Sequence, residues 1–437
     1  MKRICIMLLG ILVSLNTFSK QQISNVSAQE FSISKQPTKE INNQLEPVSG
    51  SVENLPHEFV VTDKKYGAVG DGLHDDTQAF QNAINDCIAA NGKLIIPPTA
   101  LYKHYRITKT LLVFPNVRKE LQMDLECLGV PRDCIRYFGP KGTACFRVVG
   151  LRCSKWTGLK IKLGDTEGLV GVDLDCDNGV GSLSYVSFEN CHIVLGKGVN
   201  QKGWKIGEVS SSGGDISNLQ WSNCTVYGSN SPAIPSQFAW HIKGGNTLNN
   251  SLINCFTARV GVFYNNQDGG NGSVSFIGCG GSNNLKEFKI SNSQNYSIIG
   301  GRWESGKTFL EVAYGIVSPA ISLVNVEIND YHPLDGVMFK LDMPCSLSLD
   351  NCNLMGGDLA KGFGTNMITL VGGDLKGLTL YGRVFVRNGS IQSNSNTFIT
   401  HQKKNGLKWY IKTEGVGKLN TKGVASSLFE DIYQSGK

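Results

Sequence analysis

The sequence predicts an all-β fold: a parallel β-helix of stacked turns, closed at its N-terminal end by one helix. Three observations predict it. An Asn-Cys pair recurs along the middle of the chain at about the length of one solenoid turn. Short apolar runs between those pairs mostly alternate with a period of two, as strands with one buried face do. The 51 glycines in 437 residues exceed ordinary usage without low complexity, which suits many tight turns between short strands.

The chain opens with Lys2 and Arg3, an apolar stretch from Cys5 to Leu15, and the small residues Val26-Ser27-Ala28. That order is the pattern of an export signal covering residues 1–28, and it predicts a secreted or periplasmic protein. The apolar stretch is short of the roughly 20 residues a spanning helix needs, and no later segment is apolar enough, so no membrane span is expected. Lys2, Arg3 and Lys20 leave with the signal, and the formal charge falls from +6 to +3. So small a charge does not argue for nucleic acid or membrane as partner. Residues 29–56 are polar and aperiodic, and read as a flexible leader.

Twelve cysteines remain beyond Cys5. Cys127, Cys134, Cys145 and Cys153 lie close together in sequence and are candidates for disulfides in an oxidising compartment. Cys191, Cys224, Cys255, Cys279 and Cys352 fall at repeat positions and read as compact core side chains. No C-x-x-C pair occurs, so zinc is not expected.

Order is expected from Phe59. Phe59-Val60-Val61 reads as a strand, and Tyr66-Gly67-Ala68-Val69-Gly70-Asp71-Gly72 as a turn-rich stretch. A helix follows Asp75-Asp76-Thr77, because Phe80, Ala83, Ile84, Cys87 and Ile88 form one apolar stripe. Asp76 or Thr77 is its expected N-cap, and Asn91-Gly92 its end. Lys93 to Pro98 is then a short strand stopped by proline. The whole run resembles the N-terminal signature of the pectin-lyase-like superfamily, the pectate lyases and polygalacturonase-like proteins. The resemblance implies a single-stranded right-handed parallel β-helix whose helix covers the open end. The Asp75-Asp76 pair is then read as turn and cap rather than as catalytic.

The anchors of the repeat are Asn190-Cys191, Asn223-Cys224, Asn254-Cys255, Gly278-Cys279, Gly300-Gly301, Asn325-Val326 and Asn351-Cys352. Asn tolerates a left-handed backbone and bonds neighbouring peptide groups, so stacked turns should align Asn on Asn, with the next residue pointing inward. Two longer spacings, between Asn190 and Asn254, imply loops inserted into those turns. The helix is expected over 57–382, with 383–437 as a C-terminal cap over the last edge.

Between anchors lies the second pattern, in Val172 to Asp175, Trp204 to Ile206, Trp240 to Lys243 and Phe288 to Ile290. Its buried set is Val172, Leu174, Trp204, Ile206, Trp240, Ile242, Phe288 and Ile290, which removes Trp204 and Trp240 as sugar-stacking platforms. Its outward set is Asp173, Asp175, Asp177, Lys205, Glu208, His241, Lys243 and Lys289. In pectate lyases and polygalacturonases the groove that holds the polymer lies on strands of this kind. Asp175 and His241 are expected two turns, about 10 Å, apart.

The catalytic candidates are Asp175, Glu208, His241 and Lys243; the substrate-binding candidates are Asp173, Lys205, Lys289, Arg302 and Glu304. A lyase needs a base, for which Lys243 and His241 are the candidates, and a charge to stabilise the anion formed. No cofactor is required by the sequence; Ca2+ held by Asp173, Asp175 and Asp177 is a candidate for that charge. The spacing starts like an EF-hand loop, but Ser184 stands where its bidentate Glu belongs. A hydrolase would use two carboxyls, and Asp175 and Glu208 are of the right type. A second outward patch follows the Asn anchors: His192, Tyr227, Phe256, Arg302, Glu304 and Glu327. Arg302-Trp303-Glu304 is polar enough to bind sugars, although a cross-strand ion pair is the simpler and preferred reading.

Polygalacturonases carry Asn-Thr-Asp, Asp-Asp and Gly-His-Gly motifs, then Arg-Ile-Lys. The matching strand starts here carry Leu169-Val170, Gly203 and Ala239, and His241-Ile242-Lys243 is a faint echo of the last motif. Pectin hydrolysis by that family's residues is therefore in doubt. The expected function is a secreted polysaccharide lyase or glycoside hydrolase. The alternatives are a non-catalytic glycan-binding or adhesion protein and a spike-like protein working as a trimer rather than a monomer.

Overall fold

A computed structural model describes residues 57–114, 121–129, 134–176, 182–207, 215–244, 246–266, 272–291, 295–313 and 319–331, and little beyond the strands between 337 and 421. The export signal, the leader, Asp177 and Glu208 lie outside the described residues. The described strands form three long sheets of sixteen, eleven and twelve strands, here called sheets I, II and III. One turn shows the circuit. The chain runs along sheet III at Val170–Asp175, sheet I at Leu183–Glu189 and sheet II at His192–Val194, then rejoins sheet III at Lys202–Ile206. Every such return pairs parallel with the turn before it. The fold is a right-handed parallel β-helix.

The corner between sheets I and II carries the repeat anchors. Asn190, Asn223, Asn254 and Asn325 have φ of 53°, 53°, 51° and 55°, and Gly278 and Gly300 take the same left-handed turn. Consecutive anchors hydrogen-bond to the turn above, Asn223 N–H to the Ile253 carbonyl at 2.9 Å and Asn254 N–H to Ile277 at 2.8 Å. Asn and Gly recur there because other side chains meet a steric penalty of roughly 1–2 kcal/mol. The Cys or Val that follows an anchor points inward as expected. A Cys thiol there both fills the corner and donates to a backbone carbonyl: Cys224 to Phe188 at 3.2 Å, Cys255 to Trp221 at 3.4 Å, Cys279 to Leu252 at 3.3 Å. Burial pushes the Cys224, Cys255 and Cys279 thiols up, so these are inert packing groups.

An aromatic spine fills the interior. Phe188 lies between Trp156, Trp204 and Trp221, and further along Phe263, Phe288, Trp303 and Phe309 meet edge to face. All eight residues of the expected inward set are buried. The alternation fails at one place. Phe263 and Tyr264 are consecutive, and both belong to the core, as do Phe309 and Leu310. These two sheet III strands therefore turn two successive side chains inward, which period two does not anticipate.

The helix, α1 (Thr77–Ala89), packs Phe80, Ala83, Ile84 and Cys87 onto the core. Asp76 holds the N-cap position, but its side chain does not cap the helix. Its carboxylate instead accepts the N–H groups of Val69 at 2.7 Å and of Gly70 and Arg106 at 3.3 Å. The Thr77 N–H is taken by Asp75 at 3.1 Å. Burial raises the Asp76 carboxyl against those bonds. Both acids are thus engaged in local structure. Asn91 at φ 47° ends the helix, with the Gly92 N–H on the Cys87 carbonyl at 2.9 Å.

Parallel pairing continues through Gly389–Ser393 and Thr397–Gln402; the last two described strands, Lys408–Thr413 and Gly417–Thr421, add on antiparallel. The eleven described cysteines are free thiols. Cys127 and Cys134 are hydrogen-bonded to each other, whereas Cys145 is buried and Cys153 exposed.

Candidate functional site

The middle of each sheet III strand presents one residue outward, and register aligns these residues turn on turn. Asp173 pairs with Arg147 on one side and Lys205 on the other; Lys205 pairs with His241, His241 with Asn265, Asn265 with Lys289 and Lys289 with Glu311. Four expected residues, Asp173, Lys205, His241 and Lys289, therefore stand in one column. Adjacent members are about 4.8 Å apart. Asp175 does not share it. Leu174, Ile206 and Ile242 are in register, so Asp175 is in line with Gly207 and Lys243. Asp175 stands two turns from His241 but offset along the strand; the acid in the column of His241 itself is Asp173.

The face is also drier than a solvated strand. Asp173, Asp175 and His241 are 7%, 3% and 5% exposed, and Asn265 is fully buried. Lys205 Nζ lies 3.3 Å from each carboxylate oxygen of Asp173. Burial nevertheless outweighs that ammonium and raises the Asp173 carboxyl above its usual range. Asp175 sits in a different environment. It accepts the Cys176 N–H at 2.8 Å and faces Arg147 Nη2 at 3.4 Å. Both carboxyls of this strand face are buried, Asp173 beside Lys205 and Asp175 beside Arg147 and the Cys176 N–H.

The Asn265 amide lies 2.6 Å from His241 Nδ1. With the amide donating, Nδ1 is the acceptor, and a neutral ring carries its proton on Nε2. His241 also packs against Phe238, ring centres 4.8 Å apart. Lys289 is 3.9 Å from Glu311, which also binds Lys286. Lys243 follows its strand half-buried, its N–H on the Ile206 carbonyl at 3.0 Å. Among the described residues no group of three His, Cys, Asp or Glu is placed to hold a metal ion, and Asp177, the third acid of the calcium candidate, lies outside them.

Arg302 and Glu304 are on sheet II and do not join this face. Arg302 Nε is 3.4 Å from Glu304 and 3.9 Å from Glu327, and all three side chains are exposed. The arrangement is the simple ion pair, of small energetic weight. Arg147, Asn265 and Glu311 were missed by sequence reasoning. Arg147 lies one turn before Val172 to Asp175, the first run that the alternation picked out. Asn265 and Glu311 each follow a doubly inward pair, Phe263-Tyr264 and Phe309-Leu310, which hides the alternation.

No model of a known protein family and no curated protein sequence matches the chain. Solved structures do. A Geobacillus virus E2 protein, ORF18, is 15% identical at a TM-score of 0.38, covering 83% of this chain and 63% of its own. The catalytic unit of a thermostable GH87 alpha-1,3-glucanase from Streptomyces thermodiastaticus is 15% identical at 0.34, covering 78% and 67%. PfbA, a surface adhesin of Streptococcus pneumoniae, is 13% identical at 0.31, covering 85% and 99%. The fold assigned above rests on strand register and not on these likenesses.

Proposed function

We propose that this chain, a β-helix of the pectin-lyase-like kind, is an exported glycoside hydrolase acting on a polysaccharide along sheet III, with Asp173 as general acid and Asp175 as general base. One observation carries the reading: two buried carboxyls stand two residues apart on the same face of one strand, Asp173 raised by burial and Asp175 beside Arg147. Residues i and i+2 of a strand are about 6.6 Å apart. Inverting hydrolases separate their carboxyls by about 6.5–9.5 Å, enough for a water between acid and base. Asp173, raised by burial, would protonate the leaving oxygen. Asp175, held by Arg147 and the Cys176 N–H, would take the proton of the attacking water. His241, with its proton on Nε2, and Lys205 would donate to the sugar.

The lyase reading asks His241 or Lys243 to act as base. The contact of His241 Nδ1 with the Asn265 amide leaves that nitrogen engaged, which weighs against His241 in that role. The test is a panel of acidic and neutral polysaccharides, following reducing ends and the ultraviolet absorbance of unsaturated uronates together. Reducing ends without the absorbance, lost about 10²–10⁴-fold in Asp173→Asn and in Asp175→Asn, is the expected result. Absorbance that survives both substitutions would overturn the assignment. Binding without any product would favour a non-catalytic glycan-binding protein.

A further inference from the structure

Sheet I changes character along the axis. Over its first turns it is a solvated face with ion pairs between neighbouring strands, Lys93 with Glu126 and Lys155 with Glu189 at 2.7 Å. The next five strands, Gln220–Ser222, Asn250–Ile253, Ser273–Ile277, Asn295–Ile299 and Ala320–Val324, contain no charged residue. The other two faces keep their charges on those turns, with Lys205, Lys289 and Glu311 on sheet III and Arg302, Glu304 and Glu327 on sheet II. Depletion of charge on one face alone marks the core of an interface. The face also has relief. Register aligns Ser251, Ser275, Ser297, Ser322 and Ser348 in one column. Two residues further along each strand, a second column holds Ile253, Ile277, Ile299 and Val324, and Ile277 and Ile299 are each 40% exposed. Two residues before the serines stand Ser273, Asn295 and Ala320. These short side chains leave a trough of about 250 Å³ along the axis, beside the aliphatic ridge.

We propose that this face joins two copies of the chain about a two-fold axis parallel to the axis of the β-helix. Such an axis, running over the serine column, carries the ridge of each copy onto the Ser273, Asn295 and Ala320 side of the other. A two-fold along the strands would instead set ridge on ridge. Two identical stacks share one rung spacing, about 4.8 Å, so the copies match turn for turn. A three-fold assembly would pair two different faces, and only this one is uncharged. Register carries the same column from Gln220 to Thr379 and Thr400, eight turns in all. Strands of five residues on turns about 4.8 Å apart give a face of about 600 Å² per copy, about 1,200 Å² together, the low end of the range for specific pairs. A charged partner finds nothing to pair with here, and the five strands turn no aromatic ring outward for a sugar. The inference is independent of the reaction assigned to sheet III, which this pairing leaves uncovered.

Sedimentation velocity of the full chain over a wide range of concentration tests it, and should show a dimer that dissociates on dilution. Ser297→Lys sets two ammonium groups against each other at the axis and should weaken the dimer at least tenfold, with the circular dichroism of the parent unchanged. Ser297→Cys keeps the side chain small. It should cross-link to itself with a short bismaleimide, whereas the unsubstituted chain and Ser282→Cys, on sheet II, should not. A monomer at every concentration, a trimer, a dimer that Ser297→Lys leaves equally tight, or equal cross-linking at Ser282→Cys and Ser297→Cys would each overturn the proposal.

Discussion

The carboxylate of Asp173 and the ammonium of Lys205 meet across adjacent turns at 3.3 Å, and yet the acid is harder to ionise than a free aspartate. Desolvation exceeds the attraction of one lysine at a site where the side chains are 10% and 16% exposed. The pair is a poor stabiliser and a good place to store a proton.

That relationship has a pH signature. The folded Asp173 binds its proton more tightly than the unfolded chain does. Between the ordinary carboxylate range and the raised one, the folded state therefore holds more protons, and stability falls as pH rises through that window. One group contributes at most about 1.4 kcal/mol per pH unit. Asp76, also raised by burial, acts with the same sign. Asp75 and Asp86, both lowered, act with the opposite sign, so the test is the difference: relative to the unsubstituted chain, Asp173→Asn should gain melting temperature as pH rises above about 4. An unchanged slope would mean that the acid ionises normally.

Cys127 and Cys134 present a thiol pair ready for oxidation. The hydrogen bond from Cys134 lowers the Cys127 thiol to about 7 and raises its partner. A thiolate beside a thiol closes readily in an oxidising buffer. Mass spectrometry of the native chain after treatment with oxidised glutathione should show a 127–134 link, and the closed loop should add about 2 kcal/mol of stability. Recovery of both thiols unlinked under native conditions would rule this out.

The corner asparagines are expected to be replaceable by glycine alone. Asn223→Gly should change stability by less than about 0.5 kcal/mol, whereas Asn223→Ala at φ 53° should cost about 1 kcal/mol. Denaturant titration of the two variants separates them, and equal costs would refute the conformational account.

Trp303 is fully buried, and its indole N–H has no hydrogen-bond partner among the described residues. It is held by the faces of Phe263, Phe288 and Phe309. Trp303→Phe keeps an aromatic ring and removes the unpaired donor, so its cost should stay below about 1.5 kcal/mol, while Trp303→Ala should cost about 3–5 kcal/mol. Comparable losses in thermal unfolding would refute this account, since they would mean that a retained phenyl ring recovers nothing.

Much of the architecture was legible because two of its causes are local. The left-handed corner selects Asn or Gly wherever it occurs, so Asn190, Asn223, Asn254, Gly278 and Gly300 marked the turns before any coordinates. The sheet III faces were legible where alternation held, as at Trp204-Lys205-Ile206. They were hidden where the strand bends, and Asn265 was lost with them. The site itself was legible only by type. Which acid shares a column with His241 depends on register between turns, and register selects Asp173 rather than Asp175.

Each turn touches chiefly the turn before it and the turn after it. The molecule is therefore extensible in whole rungs. A complete turn inserted between Asn254 and Gly278 would leave all three sheets aligned and lengthen every face by one rung, so its valence for a polymer laid along the axis would scale with its length. One residue added within Val262–Asn266 would instead exchange inside for outside from that point of the strand onward.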